Sequence, residues 1–304
     1  MDPAPRRRGR GRGALAVGMV VMLGMAGFAG WAWWTGSIAG VPVRPHCTST
    51  AGGATAELDP EQAGNAATIA AVAVRRGLPG RAATIAIATA LQESKLVNVP
   101  GGDRDSVGLF QQRPSQGWGT AEQVHDPVYA SNAFYDVLVK IEGYQNLPIT
   151  QAAQKVQRSA FPSAYAEHEP EARSWASTLT GYSPAGLSCV LPASRGGATQ
   201  SPGANGLTPP ATTLVRAASA ATGRTGTPVA GSGGSAVRFA AGAKGDTRAA
   251  WALAQWAVAR ADDLDVVAVE VDGRQWRRAD STAGWTALPN GPPAGTVIVR
   301  VAAP

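Results

Sequence analysis

A glutamate stands at the end of an apolar run and is followed by a loop rich in glycine and aspartate. Glu93 lies near the end of the run ATIAIATALQES, and the loop leads on to the segment SVGLFQ. A carboxyl at the end of an apolar helix is expected to be partly desolvated, and desolvation raises its pKa. A carboxyl that stays protonated near neutral pH can act as a general acid toward a glycosidic oxygen. A solvated glutamate at a helix end is the alternative interpretation.

These two segments resemble the paired motifs of the lysozyme-like soluble lytic transglycosylase family. In that family a Glu-Ser pair ends a core helix, and a Gly-Leu-Met-Gln-type motif lines the sugar cleft. The resemblance covers residues 59–191 and implies that Glu93 is the catalytic acid/base. The substrate-binding residues that we expect are Ser94, Ser106, Gly108, Leu109, Phe110, Gln111, Trp118, Gln157 and Tyr165.

The chemistry that this resemblance implies needs one carboxyl group. In the family, the acid protonates the leaving oxygen of the bond after N-acetylmuramic acid, and the acetamido group of the substrate helps the ring cation. The acid then takes a proton from the 6-hydroxyl of that sugar, which gives a 1,6-anhydro product without water. A lysozyme-type hydrolase would more often need a second carboxylate. Asp103 and Asp105 are the candidates, with a turn-forming role as the alternative.

One family motif is missing. The family usually carries an Ala-Tyr-Asn motif on a later helix, and its tyrosine supports the catalytic glutamate. In the segment AAQKVQRSAFPSAY, Gln157 and Arg158 stand where Tyr and Asn are expected. Gln157 could hydrogen-bond the Glu93 carboxyl, and Tyr165 could reach back to it. Trp118 could stack on a sugar ring, or it could pack in the core.

The helices that would position these residues are visible in the sequence. Asp59 and Pro60 supply an N-cap and a proline at the first helical position. The helix that they start is expected to continue to Gly77. Four further helices are expected at about 80–94, 131–144, 150–159 and 171–179. No run within residues 59–191 alternates with period two over several residues, so this lysozyme-like domain is predicted to be helical and the fold class mainly α.

The N-terminal segments predict a membrane location. Residues 1–12 carry five of the 27 positive charges, and residues 13–35 are uncharged and mostly apolar. About 20 apolar residues span a bilayer as a helix, and arginines before it keep the N-terminus in the cytoplasm. We therefore predict a basic cytoplasmic tail, a transmembrane helix or signal anchor, and a stalk at 36–58 on the outer side of the cell membrane. A cleaved signal peptide, giving a secreted protein, is the alternative.

Two further segments follow the helical domain. Residues 192–245 are rich in Gly, Ser, Thr, Ala and Pro and are predicted to be a flexible, disordered linker. Residues 246–304 are predicted to form a small α+β domain. This domain resembles a C-terminal domain of some actinobacterial cell-wall proteins through Trp251, Trp256, Gly273, Arg274, Trp276 and Trp285. The closing strand of that domain carries a His-x-His pair that is missing here, so we expect an adaptor that contacts an envelope protein.

The cysteine count and the charge distribution limit which disulfide, metal and nucleic-acid interactions are expected. Cys47 and Cys189 are the only cysteines, and an exported chain with two cysteines can form one disulfide; two free thiols are the alternative. The three histidines are scattered, so no metal site is expected, and no cofactor is expected. Most of the excess positive charge lies in residues 1–12, so no nucleic-acid partner is expected.

Two functional hypotheses follow. The first is a membrane-anchored enzyme of lytic transglycosylase or muramidase type that cleaves the glycan strands of peptidoglycan. The second is a lysozyme-like protein that binds peptidoglycan or scaffolds the envelope without cleaving it. The Glu-Ser and Gly-Leu-Phe-Gln motifs favour the first hypothesis, and the missing Ala-Tyr-Asn motif favours the second.

Overall fold

The computed structural model describes residues 44–158, 162–194, 196, 201–243 and 245–302. The helices in these ranges are α1 (Pro60–Arg75), α2 (Gly80–Ser94), α3 (Ala121–His125), α4 (Pro127–Leu138), α5 (Ile149–Gln157), α6 (Glu169–Leu179), α7 (Pro209–Thr222) and α8 (Thr247–Ala259). The strands are β1 (His46–Ala51), β2 (Ala54–Leu58), β3 (Leu187–Val190), β4 (Gly226–Pro228), β5 (Ala236–Ala240), β6 (Val266–Val271), β7 (Arg274–Arg277), β8 (Trp285–Ala287) and β9 (Thr296–Val301). Short 3-10 helices lie at Pro114–Gln116, Pro162–His168 and Arg278–Ala283.

Helices α1 and α2 form the centre of the first half of the molecule. Both are rich in alanine, and the residues from Ala82 to Leu91 are buried without interruption. A helix that is apolar on all sides is stable only when other elements cover it. Helices α1, α5 and α6 all pack against α2, so its C-terminal turn is held from several directions.

The prediction of a mainly α fold is wrong. Of the described residues, 44% are helical and 18% lie in strands. Strands β1, β2 and β3 form an antiparallel sheet in the order β2-β1-β3, and two of them lie inside the predicted stalk. These strands are short, with sequences HCTSTA, ATAEL and LSCV. Their small and polar residues resemble a linker, and four to six residues offer too few alternations to stand out.

The predicted fold also included a disordered linker, and for residues 201–243 that prediction is wrong. Helix α7 and strands β4 and β5 lie between 201 and 243. The two strands form one edge of a six-stranded antiparallel sheet with the order β4-β5-β9-β6-β7-β8. The buried residues of α7 are Ala211, Leu214, Ala218 and Ala221, which follow helical spacing. The signal was present, but small side chains made it weak.

The predicted disulfide is confirmed. Cys47 and Cys189 are bonded, and they lie directly opposite each other on β1 and β3. Both residues are fully buried. The bond therefore fixes the sheet strand that follows α6 to the strand that precedes α1.

The basic tail 1–12 and the predicted span 13–35 lie outside the described residues. In the ranges that the structure describes, no helix is long and apolar enough to cross a bilayer.

The six-stranded sheet with α7 and α8, residues 201–302, is called here the second sheet region. Its side chains cover the free edge of β3. The Leu187 N–H donates to Gln255 Oε1 at 2.9 Å, and the Trp285 indole donates to the Leu187 carbonyl at 2.6 Å. The Trp276 indole donates to the Cys189 carbonyl at 3.2 Å. An open strand edge is a site for unwanted pairing, and here side chains from α8, β7 and β8 occupy it. The predicted domain 246–304 is therefore docked on the first half of the molecule.

Candidate functional site

The end of α2 is fixed by two side chains from α1. Lys95 and Leu96 follow the helix with φ values of 54° and 59°, in the left-handed region that ends helices. The Gln62 amide donates to the Lys95 carbonyl, and the Asn65 amide donates to the Leu96 carbonyl, each at 2.8 Å. The last turn of α2, which carries Glu93, therefore has a defined position.

Glu93 is half-buried and accepts a hydrogen bond from a buried phenol. The Tyr165 hydroxyl donates to Glu93 Oε1 at 2.7 Å, and Tyr165 is fully buried. Burial raises the pKa of the Glu93 carboxyl above its ordinary value, against hydrogen bonds from Tyr165 and Gln157 that lower it. Raising the pKa of a carboxyl keeps more of it protonated near neutral pH, as a general acid requires.

The Gly-Leu-Phe-Gln segment forms a tight loop against the end of α2. The Val107 N–H donates to the Gln112 carbonyl at 3.1 Å, which closes the loop. Gly108 has a φ of +76°, and a Cβ there would lie 2.4 Å from the Val124 carbonyl oxygen, so only glycine fits. The Ser94 hydroxyl donates to the Leu109 carbonyl at 2.8 Å. The Glu-Ser pair and the loop are therefore in direct contact.

The loop contributes backbone more than side chains to this site. Leu109 and Phe110 are fully buried, and the Phe110 ring stacks on Phe134 at 4.8 Å. Ser106 is also buried. These three side chains belong to the interior, so in this conformation a sugar does not reach them. The Gln157 amide donates to the Phe110 carbonyl at 2.6 Å, which ties α5 to the loop.

Gln111 faces the glycine-rich segment before the loop. It has a φ of 47°, and its amide donates to the Gly108 carbonyl at 3.2 Å. A Cβ on Gly102 would overlap the Gln111 amide. Gln111 is half-buried, and its side-chain amide packs against the backbone of Gly102.

A cleft of about 420 Å³ opens beside Gln157. Its lining residues are Gln116, Gly117, Trp118, Val137, Val156, Gln157 and Arg158. Trp118 is half-buried and packs partly against the core, so it shares features of both sequence interpretations. Gln157 connects the cleft to Glu93, because the same amide contacts the Glu93 carboxyl.

The two candidate second carboxylates have different environments. Asp105 accepts a hydrogen bond from Arg113 Nε at 2.8 Å and another from the Ser115 N–H at 2.7 Å. These donors hold the pKa of Asp105 well below its usual range, and they use both of its oxygens. The side chain of Asp103 is 91% exposed, and its closest cation is Arg104 at 4.0 Å. Neither aspartate is held against the Glu93 carboxyl by a hydrogen bond.

Some contributors to the site were not predicted from the sequence. Gln62 and Asn65 are polar residues three positions apart in α1, a spacing that places them on one face. His168 Nε2 lies 3.0 Å from Gln92 Oε1, beside Glu93. Outside the site, on α6, Glu171 is another carboxyl whose pKa is raised by burial.

The tryptophans of the C-terminal region lie inside the molecule. Trp256 and Trp276 are buried, and Trp251 packs edge-on against Trp285 at 5.0 Å. The indoles of Trp276 and Trp285 donate to carbonyls of β3, whereas the Trp251 indole donates to Asp272. An envelope-protein contact through this region remains a prediction.

Comparison with known proteins does not assign the site. No protein-family model matches the chain, and no curated protein is significantly similar to it. In the ranges that the structure describes, no group of three or more His, Cys, Asp or Glu side chains is placed to hold a metal ion. The functional conclusion therefore rests on the residues around Glu93.

Proposed function

We propose that the protein cleaves peptidoglycan glycan strands in the manner of a lytic transglycosylase, with Glu93 as its single acid/base. The observation that carries the proposal is the half-buried Glu93 carboxyl, whose pKa is raised by burial and which accepts the Tyr165 hydroxyl at 2.7 Å. The adjoining cleft with Trp118 supplies an apolar surface of the kind on which sugar rings stack.

In the proposed reaction, the protonated Glu93 donates its proton to the glycosidic oxygen, and the C1–O bond breaks. The Glu93 carboxylate then accepts the proton of the 6-hydroxyl while that oxygen bonds to C1. The acid is regenerated, no water is consumed, and the product is a 1,6-anhydro sugar. One carboxyl group serves both steps.

The environment of Asp105 supports this reaction over hydrolysis. A hydrolase with two carboxyl groups needs a second carboxylate that is available to water or to the sugar. Both oxygens of Asp105 are already hydrogen-bonded. Hydrolysis by a muramidase is therefore the second choice among cleavage reactions.

Tyr165 offsets the missing Ala-Tyr-Asn motif. The family uses a tyrosine on the later helix to support its glutamate, and here a tyrosine from the 3-10 segment Pro162–His168 donates to Glu93. This contact favours an active enzyme over the binding or scaffold protein. The disulfide favours a location outside the cytoplasm, on the outer side of the cell membrane or secreted, where peptidoglycan is accessible.

The test uses the full-length chain, since the second sheet region is docked on β3. Purified wild type, Glu93→Gln and Glu171→Gln are incubated with peptidoglycan sacculi, and the soluble products are weighed by mass spectrometry. Glu171→Gln is the matched control, because burial also raises the pKa of that carboxyl. We expect muropeptides lighter than the reducing form by one water from the wild type and the control only.

Two other results would change the conclusion. Products with reducing ends would identify a muramidase and make Asp103 the next residue to replace. If none of the three proteins released product while all pelleted with the sacculi, the enzyme proposal would fail and a glycan-binding protein would remain.

A further inference from the structure

The cleft beside Gln157 has one charged residue among the described residues that line it. That residue is Arg158; the others are polar amides, a glycine, two valines and Trp118. Arg158 directly follows Gln157, whose amide contacts both the Glu93 carboxyl and the Phe110 carbonyl. A positive charge therefore lies within one residue of the acid's hydrogen-bonding partner.

The Arg158 guanidinium is available to a ligand. Arg158 is exposed and ends α5 with a left-handed φ of 53°. Across the residues that the structure describes, its side chain makes no ion pair or hydrogen bond, whereas Arg113 pairs with Asp105 and Arg81 pairs with Glu169. A guanidinium presents donors in a planar fork that matches a carboxylate.

We propose that Arg158 binds a carboxylate carried by the glycan strand while the Trp118 face takes a neighbouring sugar ring. The inference rests on the proposed action of Glu93 on a glycan and adds a substrate class to it. Strands with acidic substituents bind in preference to neutral strands of the same sugar backbone. The carboxylate belongs either to the lactyl ether of muramic acid or to the peptide that extends it.

Binding is measured in proteins that cannot complete cleavage. Full-length Glu93→Gln is compared with the double variants that add Arg158→Gln, Arg158→Lys or Lys155→Gln. Lys155 is the matched control, because it is an exposed cation on the same helix and does not line the cleft. The probes are peptide-bearing glycan strands, strands freed of peptide and therefore carrying the lactyl carboxylate, and neutral chitin oligosaccharides of equal length.

We expect Arg158→Gln to weaken binding of acidic strands about five- to ten-fold, as for a charge-assisted hydrogen bond at a partly exposed site. Binding of neutral oligosaccharides should not change, Lys155→Gln should change neither, and Arg158→Lys should recover part of the loss. A loss confined to peptide-bearing strands assigns the peptide carboxylate, and a loss confined to strands freed of peptide assigns the lactyl carboxylate. An equal loss on both acidic probes shows that Arg158 binds either carboxylate.

The inference is overturned if Arg158→Gln changes the affinity for neither the acidic nor the neutral probes. It is also overturned if the substitution weakens binding of both by the same factor. These outcomes do not depend on cleavage, which is measured separately with Glu93 intact. If the wild type does not cleave but Arg158→Gln still weakens binding of acidic strands, the proposed enzyme activity fails and the carboxylate site stands. If the wild type cleaves and Arg158→Gln has no effect on binding, the enzyme activity stands and the carboxylate site fails.

Discussion

The molecule buries polar side chains in two regions and treats them differently. At the edge of β3, the Gln255 amide uses both of its ends, donating to the Thr178 carbonyl at 2.6 Å and accepting from the Leu187 N–H at 2.9 Å. Around Glu93, the Gln157 amide donates through its nitrogen, but its buried oxygen has no partner among the described residues. Asn98 and Gln112 show the same pattern.

An unpaired buried acceptor costs about 1–3 kcal/mol, so the two regions make different contributions to the molecule. At the β3 edge, both ends of the Gln255 amide are satisfied inside the chain, although the Ser188 hydroxyl on that strand has no partner among the described residues. Near Glu93, whose pKa is raised by burial, the Gln157 amide keeps an unused buried acceptor. The comparison predicts that changes at the β3 edge lower stability and that changes near Glu93 alter the chemistry.

Removal of the disulfide should have the largest effect on stability. The bond spans a sequence separation of 142 residues, and in the chain-entropy model it contributes about 4–5 kcal/mol. We expect the double variant Cys47→Ala/Cys189→Ala to lose about that much free energy of unfolding in urea titrations. Ser188→Ala is the control on the same strand, because its buried hydroxyl has no partner in the described part of the chain. A loss under about 2 kcal/mol would mean that the disulfide constrains the unfolded chain much less than its span implies.

Arg278 tests the second region without breaking a covalent bond. It is 3% exposed, and it donates to the Pro192 and Ala261 carbonyls and to the Asp262 carboxylate. Removing one partner of a buried charge cluster costs about 3–5 kcal/mol. We expect that loss for Arg278→Met and under about 0.5 kcal/mol for Arg277→Met, whose exposed side chain lies 3.8 Å from Asp280. Equal effects would show that the burial of Arg278 is not what stabilises this region.

The sequence predicted the elements that have a strong local signal and missed others. The helix predicted at 80–94 has the bounds of α2, because a long apolar run with a clear stop is a strong local signal. Strands β1 and β2 form a hairpin across the turn Gly52–Gly53, a local signal that the sequence prediction missed. Strand β3 was missed because it pairs with β1 from far along the chain, and contacts such as that between the Ser49 and Thr178 hydroxyls at 3.0 Å are tertiary. Local sequence carries little information about such contacts.

The site was recoverable where its residues lie close in sequence. Glu93, Ser94 and the loop meet as their spacing suggests, whereas the burial of Leu109 and Phe110 depends on Phe134, which no local pattern connects to them. Tyr165 was named only as a residue that could reach Glu93; the geometry of that contact comes from the fold. The roles of these residues in binding and catalysis remain predictions.

Paired leucine substitutions compare the two amides directly. Gln255→Leu leaves the Leu187 N–H and the Thr178 carbonyl unpaired in the interior, which should lower the free energy of unfolding by about 2–3 kcal/mol. Gln157→Leu removes the hydrogen bonds to the Phe110 and Glu93 oxygens. It also removes one unpaired buried oxygen, so its cost should be smaller, about 1 kcal/mol. Urea titration measures both, and sacculus digestion measures activity. The reverse result, with Gln157→Leu the more destabilising and fully active, would refute the division between the two regions.

The smallest effect concerns the proton on Glu93. The Tyr165 hydroxyl donates to the carboxyl and so lowers its pKa, against the raising effect of burial. Tyr165→Phe removes that donor, and the pKa of Glu93 should therefore rise. A general acid works while it is protonated, so the alkaline limb of the pH–rate profile should move to higher pH, and the carboxyl ¹³C resonance of Glu93 should titrate at higher pH. Tyr182→Phe, an exposed tyrosine outside the site, should leave both unchanged. A shift to lower pH would mean that the phenol stabilises the protonated acid instead, and an unmoved limb with a shifted resonance would mean that another group controls the rate.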